Sequence, residues 1–156
     1  MSVNIAIDGP AGAGKSTIAK MTAKKLVYID VDTGAMYRAM AYYFLNNGVG
    51  REDTDRMNSE CAGADITIRY VDGEQVVMLN GENVNGFIRR EEVGSMASVC
   101  STLKAVRDKL TELQKKLARE NNVVMDGRDI GTCVLPNAQV KIYLTADSHV
   151  RALRRR

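Results

Sequence analysis

Gly9-Pro10-Ala11-Gly12-Ala13-Gly14-Lys15-Ser16 fits the phosphate-loop pattern G-x-x-x-x-G-K-[ST] at every constrained position. The run before it, Val3-Asn4-Ile5-Ala6-Ile7-Asp8, is apolar and β-branched and reads as a buried strand. The run after it, Ser16 to Leu26, sets apolar Ile18, Met21 and Leu26 among lysines and reads as a helix. Strand, glycine loop and helix in that order argue against a plain glycine turn. The glycines let successive N–H groups curl inward, and the helix N-terminus adds positive potential. Lys15 would then reach the β- and γ-phosphates of a nucleotide, and the Ser16 hydroxyl would ligate Mg²⁺.

A length of 156 residues suits one domain with a proper core. An apolar share of 45% and a charged share of 26% are ordinary for a globular chain. No apolar run approaches the ~18 residues of a membrane span, and no secretory signal is visible, so the cytoplasm is the default. Cys61, Cys100 and Cys133 are widely spaced and form no C-x-x-C pair, and His149 is the single histidine. Reduced, buried thiols are expected rather than a zinc site. The net charge of +3 is local, because Arg151, Arg154, Arg155 and Arg156 fall in the last six positions. Without them 18 basic residues face 19 acidic ones, which is no stripe for nucleic acid. An aromatic share of 5% leaves few platforms for stacking single strands.

Outward from the loop, strand and helix patterns alternate. Val27-Tyr28-Ile29-Asp30-Val31 reads as a second strand. Gly34 to Asn47 reads as a helix through Met36, Tyr37, Met40, Tyr43 and Phe44, stopped by Asn46-Asn47-Gly48. Leu103, Val106, Leu110, Leu113 and Leu117 mark an amphipathic helix over Lys104 to Glu120. Val123-Val124-Met125 and Val140-Lys141-Ile142-Tyr143-Leu144 read as two further strands. The alternation predicts an α/β fold, a parallel sheet flanked by helices. The middle departs from it. Asp65 to Val71 alternates, Asp72-Gly73 signals a hairpin turn, and Gln75 to Leu79 is a second strand ending at Asn80-Gly81. This is a small antiparallel insertion. The division expected is core with phosphate loop over 1–62, insertion over 63–102, core again over 103–150, and a further segment starting at 151–156.

A phosphate loop names a nucleotide, not a reaction. Asp32-Thr33-Gly34-Ala35-Met36-Tyr37-Arg38 follows the second strand and opens a helix. Thr33 suits its N-cap, and Gly34 admits a ligand closely. Arg38, one turn in, would project toward the phosphate loop; a surface ion pair reads it equally well. Asp126-Gly127-Arg128-Asp129-Ile130-Gly131-Thr132 follows the strand Val123-Val124-Met125. Asp126 stands where an acid binds Mg²⁺, directly or through water. Arg128 offers a donor fork for an anionic oxygen pair. Phosphoryl transfer needs in-line positioning and cations. Lys15, Asp126 with its Mg²⁺, Arg38 and Arg128 form the catalytic set on this reading.

With these stretches in hand, the chain resembles bacterial cytidylate kinase, a nucleoside monophosphate kinase family of the phosphate-loop class. The resemblance runs from Ile7 to Ser16, through Asp32 to Arg38, Asn80-Gly81-Glu82-Asn83-Val84, Ile88-Arg89, Ala97-Ser98 and Val106-Arg107. It continues through Asp126 to Thr132, Val140 to Leu144 and Arg151-Ala152-Leu153-Arg154-Arg155, in family order. It implies transfer of the γ-phosphate of ATP to CMP or dCMP, with Mg²⁺. The ATP-binding set is then Gly9, Pro10, Ala11, Gly12, Ala13, Gly14, Lys15, Ser16 and Thr17, with Arg154 from the start of the family's lid. Ser16 and Asp126 hold the metal. Thr33, Arg38 and Arg128 match positions that hold the acceptor phosphate, and Ser98, Arg107 and Asp129 positions that read the cytosine edge. Family members continue past the arginines through the lid, a last strand and a helix, so the resemblance implies that only the lid's start is present. It also implies small-molecule substrates, a monomer, and neither nucleic acid nor membrane as partner. Two alternatives stay open: a kinase of another nucleoside monophosphate or small acceptor, and a nucleotide-dependent nucleic-acid-binding module.

Overall fold

Ile5, Ala6 and Ile7 are consecutive and all buried, so the strand that carries them is covered on both faces. This is β1 (Asn4–Asp8), and it lies inside a four-stranded sheet with β2 (Ile29–Asp32), β6 (Val123–Gly127) and β7 (Val140–Tyr143). The order is β2-β6-β1-β7, and every pairing is parallel. The computed structural model describes residues 2–10, 12–71, 74–127 and 129–145. Two compact units divide the chain: residues 1–33 with 115–156, and residues 34–114.

In the first unit, α1 (Lys15–Leu26) packs over β6 and β2. Its buried face is Ala19 and Ala23, which join Ile5, Ile7 and Val124 in one cluster with Tyr28 and Leu144 against it. Ile18, Met21 and Leu26, the residues that suggested a helix, are exposed. The amphipathic reading gave the right element with the wrong face. Small residues bring the helix backbone close to the sheet, so alanines carry the contact. Val27 and Tyr28 also differ from expectation. They close α1 rather than start β2: Val27 is left-handed at φ 59°, and the Tyr28 N–H donates to the Ala23 carbonyl at 2.8 Å. Glycine usually fills that place, and a valine there costs about 1–2 kcal/mol.

α2 (Thr33–Asn46) follows β2 directly and carries the chain into the second unit, so Thr33 is the first helical residue and not its cap. Gly48, at φ 71°, ends it as expected. Next come α3 (Thr54–Glu60), a 3-10 turn (Cys61–Gly63), β3 (Ile66–Val71), β4 (Glu74–Leu79), β5 (Glu82–Asn83) and α4 (Glu91–Cys100). α5 (Lys104–Glu120) follows. β3, β4 and β5 make the antiparallel sheet. Asn80 and Gly81, both at positive φ, turn β4 into β5, so the dipeptide read as a strand end is a hairpin. The Asp72-Gly73 turn lies outside the described residues. Met36, Met40 and Phe44 of α2, Met96 of α4 and Leu110 of α5 are fully buried, as are Met57 and Ile66. Cys61 and Cys100 are buried thiols, whereas Cys133 is exposed, against the expectation for all three. No described helix is long and apolar enough to cross a membrane.

Among the described residues, Asp30 of β2 is a buried carboxylate, at 7% exposure. Burial, with the nearby carboxylates of Asp126 and Asp32, raises its pKa from 3.8 to about 6 against the pull of Lys20. Between those values the folded state binds more protons than the unfolded one, so stability falls as pH rises through that window. The loss amounts to about 2–3 kcal/mol. In urea denaturation of nucleotide-free and metal-free protein, Asp30→Asn will flatten the decline between pH 4 and 6; an unchanged slope would contradict the assignment. In the same assay Ala19→Leu will cost about 1–3 kcal/mol by overpacking. Met21→Ala will stay within about 0.5 kcal/mol.

Candidate active site

The phosphate loop starts at Gly9, where a side chain has no room: a Cβ would lie 2.1 Å from the Leu144 carbonyl oxygen. Gly9, Gly12 and Gly14 all take positive φ, which turns the backbone into the open curve an anion needs. Gly14, left-handed, precedes the first residue of α1, and its carbonyl accepts the Ile18 N–H at 3.1 Å. The helix N-terminus therefore faces the loop. Pro10 and Ala13 line the curve, the Ala13 N–H reaching the Pro10 carbonyl at 3.3 Å. Lys15 curls back to the same carbonyl, its Nζ donating at 3.1 Å. Ser16 and Thr17 stand exposed in the first turn. Ala11 lies outside the described residues.

Asp126 ends the apolar part of β6, beside β1, and its Oδ2 accepts the Ser16 hydroxyl at 3.3 Å. Across the sheet, register sets Asp32 against Asp126 at the C-terminal ends of β2 and β6. Burial first, then the Asp32 carboxylate, raises the pKa of Asp126, opposed by the Ser16 hydroxyl and the Lys15 ammonium. A hydroxyl and a hard carboxylate touching one another, with a second carboxylate alongside, fit Mg²⁺, which takes oxygen ligands and keeps several waters.

A second loop meets the first. Asp129 is left-handed at φ 59°, and Ile130–Val134 forms one π-helical turn after it. A Cβ on Gly127 would lie 3.8 Å from the Thr33 hydroxyl, so Thr33 neighbours this loop. Asp8, Gly9, Pro10, Asp129, Thr132 and Tyr143 line a cleft of about 410 Å³. Arg128 of this loop lies outside the described residues, as do Arg154 and the segment 151–156.

In the other unit, Arg38 is fixed inside its own neighbourhood. Its Nη1 donates to the Ile88 carbonyl at 3.1 Å, and the guanidinium lies 3.3 Å from where a Cβ on Gly94 would stand. Gly94 thus gives Arg38 its place along α4. One turn on, the Ser98 hydroxyl donates back to the Gly94 carbonyl at 3.3 Å, which leaves its oxygen to accept. Arg107, exposed in the first turn of α5, acts on the phenol of Tyr37: burial raises that phenol's pKa and Arg107 opposes the rise. Within this unit, then, Arg38 and Ser98 share α4 as a wall, and Arg107 neighbours Tyr37. Gly94 and Tyr37 were not singled out from the sequence. In the sequence Tyr37 is one more apolar position on a helix stripe, and a helical glycine carries no local signal for the arginine it admits.

The chain is similar to known sequences over nearly its whole length. The pattern described as "Cytidylate kinase" matches residues 5–156. A cytidylate kinase of Caldicellulosiruptor bescii is 52% identical over 153 residues, covering 98% of this chain and 68% of the relative. One from Carboxydothermus hydrogenoformans is 49% identical, covering 98% and 69%. One from a Geobacillus species is 47% identical over 154 residues, covering 99% and 69%. On these matches the chain belongs to the cytidylate kinase family.

Proposed function

We infer that the protein is a nucleoside monophosphate kinase that transfers the γ-phosphate of ATP to CMP or dCMP, giving CDP or dCDP and ADP. The observation that carries the reading is the phosphate loop with Lys15 and the Ser16–Asp126 contact, in a chain matched by cytidylate kinases over 98% of its length.

An oxygen of the acceptor's phosphate attacks the γ-phosphorus of ATP in line. The bond to the oxygen bridging the β- and γ-phosphates breaks, and ADP departs with that oxygen. The acceptor is already an anion, so no general base is needed. Loop N–H groups between Gly9 and Ser16, Pro10 excepted, hold the triphosphate, and Thr17 lies at its foot. Lys15 exchanges its bond to the Pro10 carbonyl for the β- and γ-phosphates. Ser16 and Asp126 would hold Mg²⁺, whose charge, when bound, neutralises the phosphate oxygens. Thr33, Arg38 and Arg128 hold the acceptor phosphate, and Arg154 covers the donor.

Ser98 and Asp129 accept from the cytosine amino group, and Arg107 donates to N3 and O2. Uracil would set a carbonyl against the Asp129 carboxylate, at a cost of about 1–3 kcal/mol. The same reading makes the protein a cytoplasmic monomer acting on small molecules, with neither nucleic acid nor membrane as partner.

A coupled ADP-release assay with CMP, dCMP, UMP and AMP tests this. CMP and dCMP will be used, with UMP down by about 10–100-fold in kcat/KM. Comparable turnover of AMP would sink the reading. Lys15→Ala will lower kcat by about 10²–10³-fold or more; undiminished turnover removes Lys15 from the site. Asp129→Ala will narrow the gap between CMP and UMP, and an unchanged ratio takes Asp129 out of base recognition.

A further inference from the structure

The Asp8 carboxylate, last in β1, accepts two consecutive backbone donors from across the sequence. Its Oδ1 takes the Ile130 N–H at 2.6 Å and its Oδ2 the Gly131 N–H at 2.8 Å. Its own carbonyl accepts the Leu144 N–H at 2.7 Å. One residue therefore ties the start of the phosphate loop, the end of β7 and the loop of Asp129 together. The fit leaves little slack. A Cβ on Gly131 would stand 3.2 Å from Asp8 Oδ2 and 3.3 Å from Cδ of Lys141.

The conformation held by these bonds is an unusual one. Asp129, immediately before the two donors, is left-handed at φ 59°, a region that L side chains visit rarely. The Cys133 N–H reaches the Asp129 carbonyl at 2.9 Å and the Leu135 N–H the Ile130 carbonyl at 2.6 Å, so the turn after Asp129 closes on itself. Within the turn the Thr132 hydroxyl also donates to the Asp129 carbonyl, at 3.4 Å, and the Asp8 carboxylate, bonded to the two amides that follow Asp129, ties the start of the turn to β1. Asp8, Gly9 and Asp129 line the same cleft.

We propose that Asp8 is a positioning residue for acceptor recognition: its two-amide clamp holds the loop so that Asp129 presents its carboxylate to the base, in register with the donor loop that begins at Gly9. The proposal rests on the reading of Asp129 as a base contact. It makes acceptor specificity depend on a residue of the donor strand that need not touch the acceptor.

Asp8→Asn keeps the shape but turns a donor toward one of the two amides. Steady-state kinetics will show KM for CMP rising about tenfold and the CMP/UMP ratio of kcat/KM falling about tenfold. The Kd of a non-hydrolysable ATP analogue will move by less than about threefold. The double variant Asp8→Asn, Asp129→Ala will show the same CMP/UMP ratio as Asp129→Ala alone, because Asp8 acts through Asp129. Hydrogen exchange at the Ile130 and Gly131 amides will quicken about tenfold. A lowered Tm with the CMP/UMP ratio intact would make Asp8 a purely structural tie and overturn the proposal. An equal loss of ATP and CMP affinity, or additive effects in the double variant, would do the same. If Asp8→Asn does not fold, Asp8→Glu keeps the charge and moves it by one methylene, and an unchanged ratio there is equally decisive. Should the unaltered protein fail to use CMP, the proposed function falls, while the exchange rates still decide whether the clamp exists.

Discussion

Gly9 and the carbonyl of Leu144 approach so closely that only a hydrogen atom fits between them: a Cβ at Gly9 would lie 2.1 Å from that oxygen. The rim of the sheet is arranged around that contact. β7 must end beside β1, which sets that side of the sheet order. The backbone must turn sharply at once, which starts the curve that Gly12 and Gly14 complete. And the N-terminus of α1 must open onto the same rim as the carboxylate of Asp126, because β6 runs parallel to β1 at a fixed register. A side chain at Gly9 would push these apart together. The anion cradle is therefore a property of strand packing as much as of the loop that carries it.

What the sequence revealed was mostly what is contiguous. The phosphate loop, the strands β1, β6 and β7 and the leucine stripe of α5 are each written within one short stretch, and each stands where the pattern put it. The failures have separate physical causes. α1 was identified by Ile18, Met21 and Leu26, yet alanines face the sheet, since closeness of packing outweighs side-chain size when a helix lies against a parallel sheet. Val27 looked like a strand residue because it is β-branched; the i→i+5 bond from Tyr28 to Ala23 overrides that preference. β5 and α3 are short and polar, so neither has enough periodicity to stand out.

The site divides the same way. Lys15, Ser16 and Asp126 could be named from motif and strand order, and the Ser16–Asp126 contact follows. Asp8 could not be singled out, because its meaning lies in two amides more than a hundred residues away. Tyr37 beside Arg107 and Gly94 beside Arg38 likewise appear only when the chain has folded. Arg38 shows the limit from the other side: its local sequence allowed a surface ion pair as readily as a ligand contact. Its anchoring to the Ile88 carbonyl gives the guanidinium a fixed seat that sequence did not foreshadow.

Among the described residues, five of the twelve largest fully buried side chains are methionines: Met36, Met40, Met57, Met96 and Met125. Unbranched thioethers fill irregular space and change rotamer easily, so this interior can absorb small displacements without opening voids. The same chemistry leaves it vulnerable. A sulfoxide is polar and chiral and has no place among such neighbours. Because these sulfur atoms are sealed from solvent, oxidants reach them only when the fold breathes, and the pace of sulfoxidation becomes a clock for that breathing.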